Sequence, residues 1–288
     1  MDKITGHTGF IALLGSPVSH SISPLMHNEA FRLLGLDYVY LCFDVTEDRL
    51  ETAVSGLVTC GIRGFNLTMP NKTRIVEMLD ELSPAARLIG AVNTVVCENG
   101  RLIGHNTDGT GFMRSVTDAG LDIRGKSIVI LGNGGAATAI IAQAALDEAA
   151  KIQVFARPQS RFRERTEALI ERINHSCSCR ASLHDLADRS ALAEALEESV
   201  LLVNATSVGM APDVDRSPLS DHSLLQPELT VADVIYNPRE TLFLRKAREA
   251  GCRSFNGMYM LLYQGAEAFR LWTGQDMPVE EIRAKYFS

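Results

Sequence analysis

The sequence predicts an α/β fold built from two domains. Apolar stretches of strand length alternate along the chain with longer stretches whose apolar residues recur at helical spacing. This alternation is typical of mostly parallel sheets with helices packed on their faces. The chain has 288 residues, and at about 150 residues a domain that length accommodates two domains.

Composition excludes several classes of protein. Hydrophobic residues make up 46% of the chain and the formal net charge is −7. The chain can therefore bury full cores, and it offers no broad basic face, so we expect no nucleic-acid partner. No apolar run approaches the roughly 20 residues of a membrane span, so we expect no membrane partner. The run 10–14 is short and lacks a basic lead, which favours a first buried strand.

The cysteines and histidines show no pattern of metal ligands. The six cysteines are scattered without a repeated spacing, and the seven histidines include no pair at metal-ligand spacing with acidic neighbours. Cys177-Ser178-Cys179 is a weak metal or redox signal, and two loop cysteines are the simpler interpretation. The composition predicts a reduced, cytoplasmic type of protein without an inherent metal site.

The first elements lead to a pair of serines. A strand over 10–14 is followed by a turn-rich loop, and residues 25–34 carry apolar residues at helical spacing, closed by a glycine. Ser23 followed by Pro24 is typical of a helix start, with the serine as cap and the proline at the first helical position. Ser21 and Ser23 are then turn and cap residues, or their hydroxyls hold a carboxylate beside the helix N-terminus.

The next elements deliver a lysine past the end of a strand. We predict strands over 38–45 and 62–67, with a helix over 47–60 between them. Pro70 ends the second strand because proline cannot donate to a ladder. Polar groups that follow a strand can face a cleft from a rigid support, and here they are Thr68, Asn71 and Lys72.

A hairpin follows and ends in a second polar turn. The predicted elements are a helix, a turn and the two strands of the hairpin, at 72–82, 85–89, 92–97 and 102–105. Asn93 stands in an otherwise apolar strand, and a buried asparagine must find hydrogen-bond partners. The turn after the hairpin contains Asp108.

Lys72 and Asp108 are candidates for an acid–base pair. A lysine and an aspartate from two such turns can form an ion pair that also transfers a proton. The alternative is a lysine on the solvated surface, since lysine is seldom fully buried without a partner. The polar residues around Lys72 favour the first interpretation.

A glycine-rich turn marks a second domain. An apolar, strand-like run over 127–131 continues directly into Gly132-Asn133-Gly134-Gly135-Ala136 and a helix to about residue 145. The dinucleotide fingerprint requires this order of strand, G-x-G-x-x-A turn and helix. The glycines permit a tight turn and let backbone amides approach a pyrophosphate at the positive helix end. We predict a Rossmann-like domain in which this five-residue turn contacts the cofactor.

The end of the next strand, over 151–155, indicates which dinucleotide binds. An NAD site usually offers the ribose hydroxyls an acidic residue at this point, but this chain continues with Ala156-Arg157-Pro158-Gln159-Ser160-Arg161. The guanidinium groups of Arg157 and Arg161 suit the 2′-phosphate of NADP. The alternative is a solvated helix face for the arginines from 161 onward. We predict NADP as the cofactor, with NAD as the alternative.

The remaining elements complete two domains. We predict helices at 109–119, 162–173, 191–198, 241–250 and 260–272, strands at 200–204 and 230–236, and a loop or short strand at 174–180. The final helix should return to the first domain and make it discontinuous. The predicted domains are an α/β substrate domain with a mostly parallel sheet, 1–110 with about 258–288, and the Rossmann-like domain, 111–257.

Six separated motifs give the chain a family resemblance. They are Ser21-Ile22-Ser23-Pro24, Asn66-Leu67-Thr68-Met69-Pro70-Asn71-Lys72, Ala91-Val92-Asn93-Thr94, Asn106-Thr107-Asp108-Gly109, Ala205-Thr206-Ser207-Val208-Gly209-Met210 and Asp233-Val234-Ile235-Tyr236-Asn237-Pro238. The chain resembles the shikimate dehydrogenase family over nearly its whole length. The form Met69-Pro70-Asn71-Lys72 is similar to the quinate/shikimate dehydrogenase branch. At the family's phosphate clamp, usually Asn-Arg-Thr-x-x-Arg, Ala156 and Pro158 depart from the pattern.

The resemblance implies an oxidoreductase that interconverts 3-dehydroshikimate and shikimate with NADP, on the chorismate route to aromatic amino acids. Lys72 is then the acid–base group, and Asp108 orients it and shares its proton. Ser21 and Ser23 hold the substrate carboxylate. The residues implied in reading the rest of the substrate are Thr68, Asn93, Asp108, Tyr236 and Gln264. Those implied at the nicotinamide are Thr206, Val234 and Gly257.

The sequence leaves several alternatives open. Tyr236 can equally be a core or domain-interface aromatic. A quinate-preferring relative with dual NAD and NADP use would keep the same fold and acid–base pair. A ligand-sensing relative would keep the fold without turnover, but the retained Lys72 and Asp108 count against it. The paired serines disfavour a folate-type dehydrogenase of similar plan. For partners, we expect a small hydroxy acid and a monomer or homodimer.

Overall fold

A computed structural model of the chain describes residues 4–287. The strands are β1 (Gly9–Gly15), β2 (Tyr38–Asp44), β3 (Gly64–Leu67), β4 (Glu81–Leu82), β5 (Thr94–Glu98), β6 (Arg101–His105), β7 (Ser127–Leu131), β8 (Lys151–Ala156), β9 (Arg180–Asp185), β10 (Ser199–Asn204), β11 (Thr230–Asp233) and β12 (Arg253–Phe255). The helices are α1 (Ser23–Leu34), α2 (Leu50–Thr59), α3 (Pro84–Ile89), α4 (Asp108–Asp118), α5 (Gly135–Leu146), α6 (Arg163–Ser176), α7 (Arg189–Glu197), α8 (Leu242–Glu249), α9 (Met258–Thr273) and α10 (Val279–Tyr286). The chain is an α/β protein.

Two compact units divide the chain. The first unit comprises Met1–Thr107 with Leu262–Ser288, and the second comprises Asp108–Leu261. The chain therefore leaves the first unit between Thr107 and Asp108, and it returns within α9. From the sequence we predict these changes near residues 110 and 258.

The sheet of the first unit has the strand order β2-β1-β3-β5-β6-β4. Strands β2 and β3 are parallel to β1, whereas β5 runs antiparallel to both β3 and β6. Its core contains Leu14, Phe65 and Val95, which are all fully buried. The indole of Trp272, from α9, donates to the Val95 carbonyl at 2.9 Å. A Cβ at Gly64 would lie 2.4 Å from this indole nitrogen, so glycine is required there.

The sheet of the second unit has the order β12-β11-β10-β7-β8-β9, and every pair of neighbours is parallel. This is the doubly wound order of the Rossmann fold, with the crossover point beside β7. Strand β7 is apolar over Ile128–Leu131 and fully buried there, as a central parallel strand with helices on both faces must be. Helix α4 packs so closely on α5 that a Cβ at Gly109 would lie 2.5 Å from the Ala139 carbonyl oxygen.

Local structure differs from the prediction around residues 72–89. The helix predicted over 72–82 is wrong: only a short 3₁₀ turn forms at Arg74–Met78, and β4 follows. Asp80 exchanges hydrogen bonds with Leu102, which pulls the chain into the sheet. The turn predicted over 85–89 is helix α3, which Ser83 caps by accepting from the Ala86 amide.

Other differences are smaller. Helix α1 begins at Ser23 with Ile22 as its cap residue, so the prediction of a serine cap is wrong. The Ser21 hydroxyl instead accepts the Ser23 amide at 3.2 Å. Strand β9 and helix α10 lie outside the predicted elements; β9 is an edge strand with only one buried residue, Ala181. Within residues 4–287, the helices include none whose length and apolar character would suit a bilayer crossing.

Candidate active site

Polar residues converge on one edge of the first unit's sheet. The parallel strands β1 and β3 end there, at Gly15 and Leu67. Because β5 is antiparallel, it begins at the same edge, and the residue before it is Asn93. The Asn93 carbonyl accepts the Leu67 amide at 2.8 Å, and the Asn93 amide donates to the His105 carbonyl at 3.0 Å. Thr68, Asn93 and the turn after β6 are therefore brought together at this edge.

The turn that carries Lys72 is fixed by backbone and side-chain contacts. A Cβ on Gly15 would lie 2.2 Å from Thr68 Cγ2, so the absence of a side chain there is what admits Thr68. Asn71 is fully buried and donates through Nδ2 to the Val45 carbonyl at 2.8 Å. The Lys72 carbonyl accepts the Val92 amide at 2.8 Å. The backbone at Lys72 is therefore fixed by its neighbours, and the residue itself is half-buried.

Asn93 is satisfied by neighbours on two other elements. Its Oδ1 accepts the Thr107 amide at 2.8 Å and the Thr94 hydroxyl at 3.0 Å. Its Nδ2 donates to Thr107 Oγ1 at 3.0 Å and lies 3.5 Å from Gln264 Oε1. The structure thus brings Asn93 and Gln264 together within the first unit.

Tyr40 and Asn66 extend this network, and neither is among the site residues predicted from the sequence. Asn66 Nδ2 donates to the Asn93 carbonyl at 3.0 Å and to Thr94 Oγ1 at 2.9 Å. Because a carbonyl can only accept, this contact fixes which end of the amide is nitrogen. The Tyr40 hydroxyl must then be the donor to Asn66 Oδ1, at 2.7 Å. Asn66 could have been found from the sequence, because it is a polar residue in an apolar strand, and this is the pattern that identified Asn93.

The two serines lie against β2. Burial raises the pKa of Tyr40 well above its ordinary value, and hydrogen bonding by the Ser23 side chain acts in the opposite direction. Burial likewise raises the pKa of the Cys42 thiol, with the Ser21 hydroxyl opposing it. Ser21 and Ser23 are therefore near neighbours of Cys42 and Tyr40, and Ser23 lies beside the hydroxyl that reaches Asn66.

In the second unit, the glycine turn has the geometry of a dinucleotide loop. Gly132 has φ +105°, which favours glycine, and a Cβ there would lie 2.7 Å from Thr206 Cγ2. Gly134 is the cap residue of α5, whose first residue, Gly135, is exposed. The amides of the first helical turn have no partner within the helix and carry its positive end. The five-residue turn 132–136 therefore fits a pyrophosphate.

The loop after β8 exposes two cations. Arg157 and Arg161 are exposed, and the Arg161 guanidinium lies 4.6 Å from the centre of the Phe162 ring. A backbone hydrogen bond of 3.0 Å from Ser160 to the Arg157 carbonyl closes the turn between them. Arg163 instead pairs with Glu167 on α6 at 2.9 Å, as expected for a solvated helix face. Two exposed guanidinium groups fit a 2′-phosphate.

Three residues predicted at the nicotinamide meet at the ends of β10 and β11. Asn204 Oδ1 accepts both the amide and the hydroxyl of Thr206, at 3.0 Å and 2.7 Å. The Asn204 carbonyl accepts the Val234 amide at 3.0 Å. A Cβ at Gly257 would lie 2.0 Å from the Val234 carbonyl oxygen, so these two backbones touch. Thr206, Val234 and Gly257 are thus held in one cluster.

A buried aspartate supports this cluster. Asp233 is fully buried and accepts from Asn204 Nδ2 at 3.0 Å, from the Ile235 amide at 3.0 Å and from the Thr241 hydroxyl at 2.7 Å. Burial raises the pKa of Asp233 to about 6, and the three donors act in the opposite direction. Every partner is a donor, so the arrangement suits the ionised carboxylate.

Two predicted substrate residues belong to the second unit. Asp108 is the first residue of α4 and is half-buried. Tyr236 follows β11 and is 47% exposed, which excludes the alternative of a core aromatic within that unit. Across residues 4–287, no three side chains of histidine, cysteine, aspartate or glutamate gather as a metal site would require.

Comparison with known proteins identifies the family. Residues 13–95 match the family model described as shikimate dehydrogenase substrate binding domain, and residues 257–285 match shikimate 5′-dehydrogenase C-terminal domain. The chain is 50% identical over 286 residues to a shikimate dehydrogenase (NADP(+)) of Listeria monocytogenes, covering 99% of this chain and 98% of the relative. It is 47% identical over 290 residues to that of Streptococcus uberis, with 100% and 98% covered.

Solved structures agree with this relationship. Shikimate 5-dehydrogenase from Listeria monocytogenes, in complex with shikimate and NAD, matches with a TM-score of 0.96 at 50% identity, covering 99% of this chain and 98% of that one. Quinate dehydrogenase from Corynebacterium glutamicum, in complex with NAD, matches with a TM-score of 0.86 at 30% identity over 97% and 99%. A 5-ketofructose reductase of Gluconobacter matches with a TM-score of 0.87 at 32% identity over 97% and 98%. The chain belongs to the shikimate dehydrogenase family of oxidoreductases.

Proposed function

We propose that the protein is a shikimate dehydrogenase that interconverts 3-dehydroshikimate and shikimate with NADP. The observation that carries the proposal is the combination, in one chain, of the Thr68–Lys72 turn beside Asn93 with a Rossmann sheet that bears a complete glycine turn. Relatives of about 50% identity, covering nearly the whole chain, carry the name shikimate dehydrogenase (NADP(+)).

Lys72 is the acid–base group in this proposal. NADP⁺, held by the second unit, would supply the hydride acceptor for the ring carbon that carries the reacting hydroxyl. As that carbon becomes a carbonyl, the hydroxyl proton passes to the Lys72 amine, and in the reverse direction Lys72 returns it. Asp108 orients the amine and shares its proton.

The other polar groups read the substrate. Ser21 and Ser23 hold the carboxylate, with Ser23 supported by Tyr40. The ring hydroxyls are read by Thr68, Asn93, Asp108 and Gln264, and Tyr236 adds a hydroxyl. A site that pairs with several hydroxyls rejects analogues that lack them, because its own polar groups would be left unpaired.

The cofactor is held by backbone amides and by two arginines. The turn 132–136 takes the pyrophosphate, Arg157 and Arg161 take the 2′-phosphate, and Thr206, Val234 and Gly257 take the nicotinamide. Ala156 and Pro158 lack the hydrogen-bonding side chains usual in the family's clamp, and the Listeria relative was solved with NAD. We therefore propose NADP as the main cofactor and NAD as an accepted alternative.

Quinate oxidation is the second candidate. The Met69-Pro70-Asn71-Lys72 form and the match to a quinate dehydrogenase favour it. Quinate has an additional tertiary hydroxyl, so the two substrates differ where the carboxylate-bearing carbon meets Ser21, Thr68 and Tyr236. We further propose a cytoplasmic monomer or homodimer, on the basis of its free cysteines and the family; size-exclusion chromatography with light scattering decides between one and two copies.

Substitution of the acid–base pair tests the mechanism. General acid–base catalysis contributes roughly 10²–10⁴-fold in rate, so Lys72→Ala should lower kcat with shikimate and NADP⁺ by about that factor and leave the fold intact. Asp108→Asn should also lower kcat, by a smaller factor. Lys126→Ala, at an exposed lysine, is the control. Turnover of Lys72→Ala near that of the control would contradict the assignment of Lys72.

A further inference from the structure

One buried donor in the glycine turn has no acceptor. Asn133 is 7% exposed, and its Oδ1 accepts the Ser160 hydroxyl at 2.7 Å. Ser160 Oγ accepts the Phe162 amide at 3.3 Å and donates its single proton to Asn133. Within residues 4–287 no acceptor faces Asn133 Nδ2. A buried amide without an acceptor costs free energy and needs an explanation, and a bound ligand that supplies the acceptor is one such explanation.

The location of this amide indicates which part of the cofactor it can bind. Asn133 is the second residue of the turn proposed for the pyrophosphate, and Ser160 lies in the loop that carries Arg157 and Arg161. In a Rossmann domain, the adenosine ribose lies between the glycine turn and the end of the second strand, which is β8 here. The hydrogen bond between Asn133 and Ser160 therefore joins the two segments that flank the ribose.

We propose that Asn133 Nδ2 donates a hydrogen bond to the 3′-hydroxyl oxygen of the adenosine ribose. In NADP the 2′-oxygen is esterified, so the 3′-hydroxyl is the ribose hydroxyl that NAD and NADP share. Asn133 then binds both cofactors, whereas Arg157 and Arg161 favour the phosphate of NADP. Ser160 is a positioning residue that holds Oδ1 and so turns Nδ2 toward the ribose. This inference rests on the proposed dinucleotide function and deepens it.

Calorimetric dissociation constants for NAD⁺ and NADP⁺ test this inference. Asn133→Ala should weaken binding of both cofactors by a similar factor of about tenfold. A factor of about ten is the upper limit for the loss of one uncharged hydrogen bond of good geometry. Ser160→Ala should weaken both by about threefold, because Nδ2 remains but loses its orientation. Arg157→Ala is the matched contrast, since it should weaken NADP⁺ and leave NAD⁺ almost unchanged.

A change in the ligand provides an independent arm that does not depend on how Asn133→Ala folds. Wild-type protein should bind the 3′-deoxyadenosine form of NAD⁺ about tenfold more weakly than NAD⁺, and Asn133→Ala should bind the two equally. Unchanged affinity of Asn133→Ala, or a loss confined to NADP⁺, would overturn the inference while leaving the proposed function in place. A wild-type protein that binds neither cofactor would overturn both.

Discussion

The Tyr40 hydroxyl donates to Asn66 Oδ1 at 2.7 Å inside the first unit. Tyr40 is 1% exposed, and its ring stacks on His27 with centroids 4.5 Å apart. Asn66 continues the contact to the Asn93 carbonyl and to Thr94. One buried phenol therefore connects the β2 side of the sheet, where Ser23 lies, with the asparagine proposed to read the substrate's ring.

Removing this hydroxyl should affect stability and substrate binding together. Tyr40→Phe leaves Asn66 Oδ1 without its donor in a buried place, which should cost about 1–3 kcal/mol in the free energy of unfolding. Because Ser23 and Asn93 lose a common support, KM for shikimate should rise more than kcat falls. Denaturant unfolding and steady-state kinetics measure the two effects.

Tyr38→Phe is the matched control for this prediction. Tyr38 lies on the same strand and packs on Phe31, and its hydroxyl has no hydrogen bond to any residue between 4 and 287. If Tyr40→Phe and Tyr38→Phe give the same stability and the same KM, the link between Tyr40 and the substrate residues does not exist.

Burial of His27 should make the protein sensitive to acid. Both ring nitrogens lack partners among the described residues, and burial lowers the pKa of His27 to about 3. The native pKa lies below the unfolded value of 6.5, so stability present above pH 6.5 is lost as pH falls toward 3. Between about pH 7 and pH 4 this loss should be about 3 kcal/mol.

His27→Phe retains an aromatic ring and removes the titrating group. The free energy of unfolding, measured by urea titration across this range, should fall less steeply in His27→Phe than in the wild type. His20→Phe, at an exposed histidine, is the control. Equal slopes for wild type and His27→Phe would show that His27 titrates normally.

Asp233 should contribute to the pH dependence with the opposite sign. Burial raises its pKa to about 6 from 3.8, so the native state binds its proton more tightly than the unfolded state does. Stability from this group is present below pH 3.8 and is lost as pH rises through 6, by about 2 kcal/mol between about pH 4 and pH 7.

Asp233→Asn removes this titration, and it replaces one of the two carboxylate oxygens, which together accept from three donors, by an NH₂ donor. Between about pH 4 and pH 7 the free energy of unfolding should therefore rise by about 2 kcal/mol more in Asp233→Asn than in the wild type. The affinity of the variant for NADP⁺ should be lower, because Asn204 and Thr206 lose part of their support. Asp213→Asn, at an exposed site, is the control. A variant with the wild-type pH profile and wild-type NADP⁺ affinity would contradict both roles.

The contact between Gly257 and Val234 should tolerate no side chain. A Cβ at Gly257 would lie 2.0 Å from the Val234 carbonyl oxygen, so Gly257→Ala must move one backbone at the proposed nicotinamide site. Overpacking of this kind costs about 1–3 kcal/mol, and we expect weaker NADP⁺ binding as well. Thermal unfolding and calorimetry measure both quantities.

A second glycine provides the control for this change. Gly56 lies within α2 with nothing within 4 Å of an added Cβ. Gly56→Ala should stabilise the protein by about 0.5–1 kcal/mol, because alanine is the better helix residue. If Gly257→Ala and Gly56→Ala have the same stability and the same NADP⁺ affinity, the close approach of Gly257 to Val234 contributes to neither quantity.

Much of the fold and site followed from local patterns. Asn93 could be selected because an asparagine inside an apolar strand must find hydrogen-bond partners. Its side chain both donates to and accepts from Thr107. The glycine turn could be placed because its neighbours form a strand and a helix of high regularity. Asn66, like Asn93, is a polar residue in an apolar strand. It belongs to the same motif as Lys72, and only the residues from Thr68 onward were selected from that motif.

The parts that were missed depend on contacts between distant residues. Leu79 ends the 3₁₀ turn because Asp80 pairs with Leu102, and no local pattern encodes that partner. The importance of Tyr40 arises from Asn66, which lies on a different strand. The orphaned amide of Asn133 likewise depends on Ser160, which follows the next strand. Composition and periodicity describe none of these pairings.

Steady-state turnover of the wild-type protein tests the central claim most directly. The absorbance of the reduced nicotinamide is followed with shikimate or quinate, each paired with NADP⁺ or NAD⁺. We expect the highest kcat/KM for shikimate with NADP⁺ and measurable turnover with NAD⁺. A higher kcat/KM for quinate would contradict the assigned substrate, and absence of turnover with all four pairs, in protein that still binds shikimate, would contradict the assignment as an enzyme.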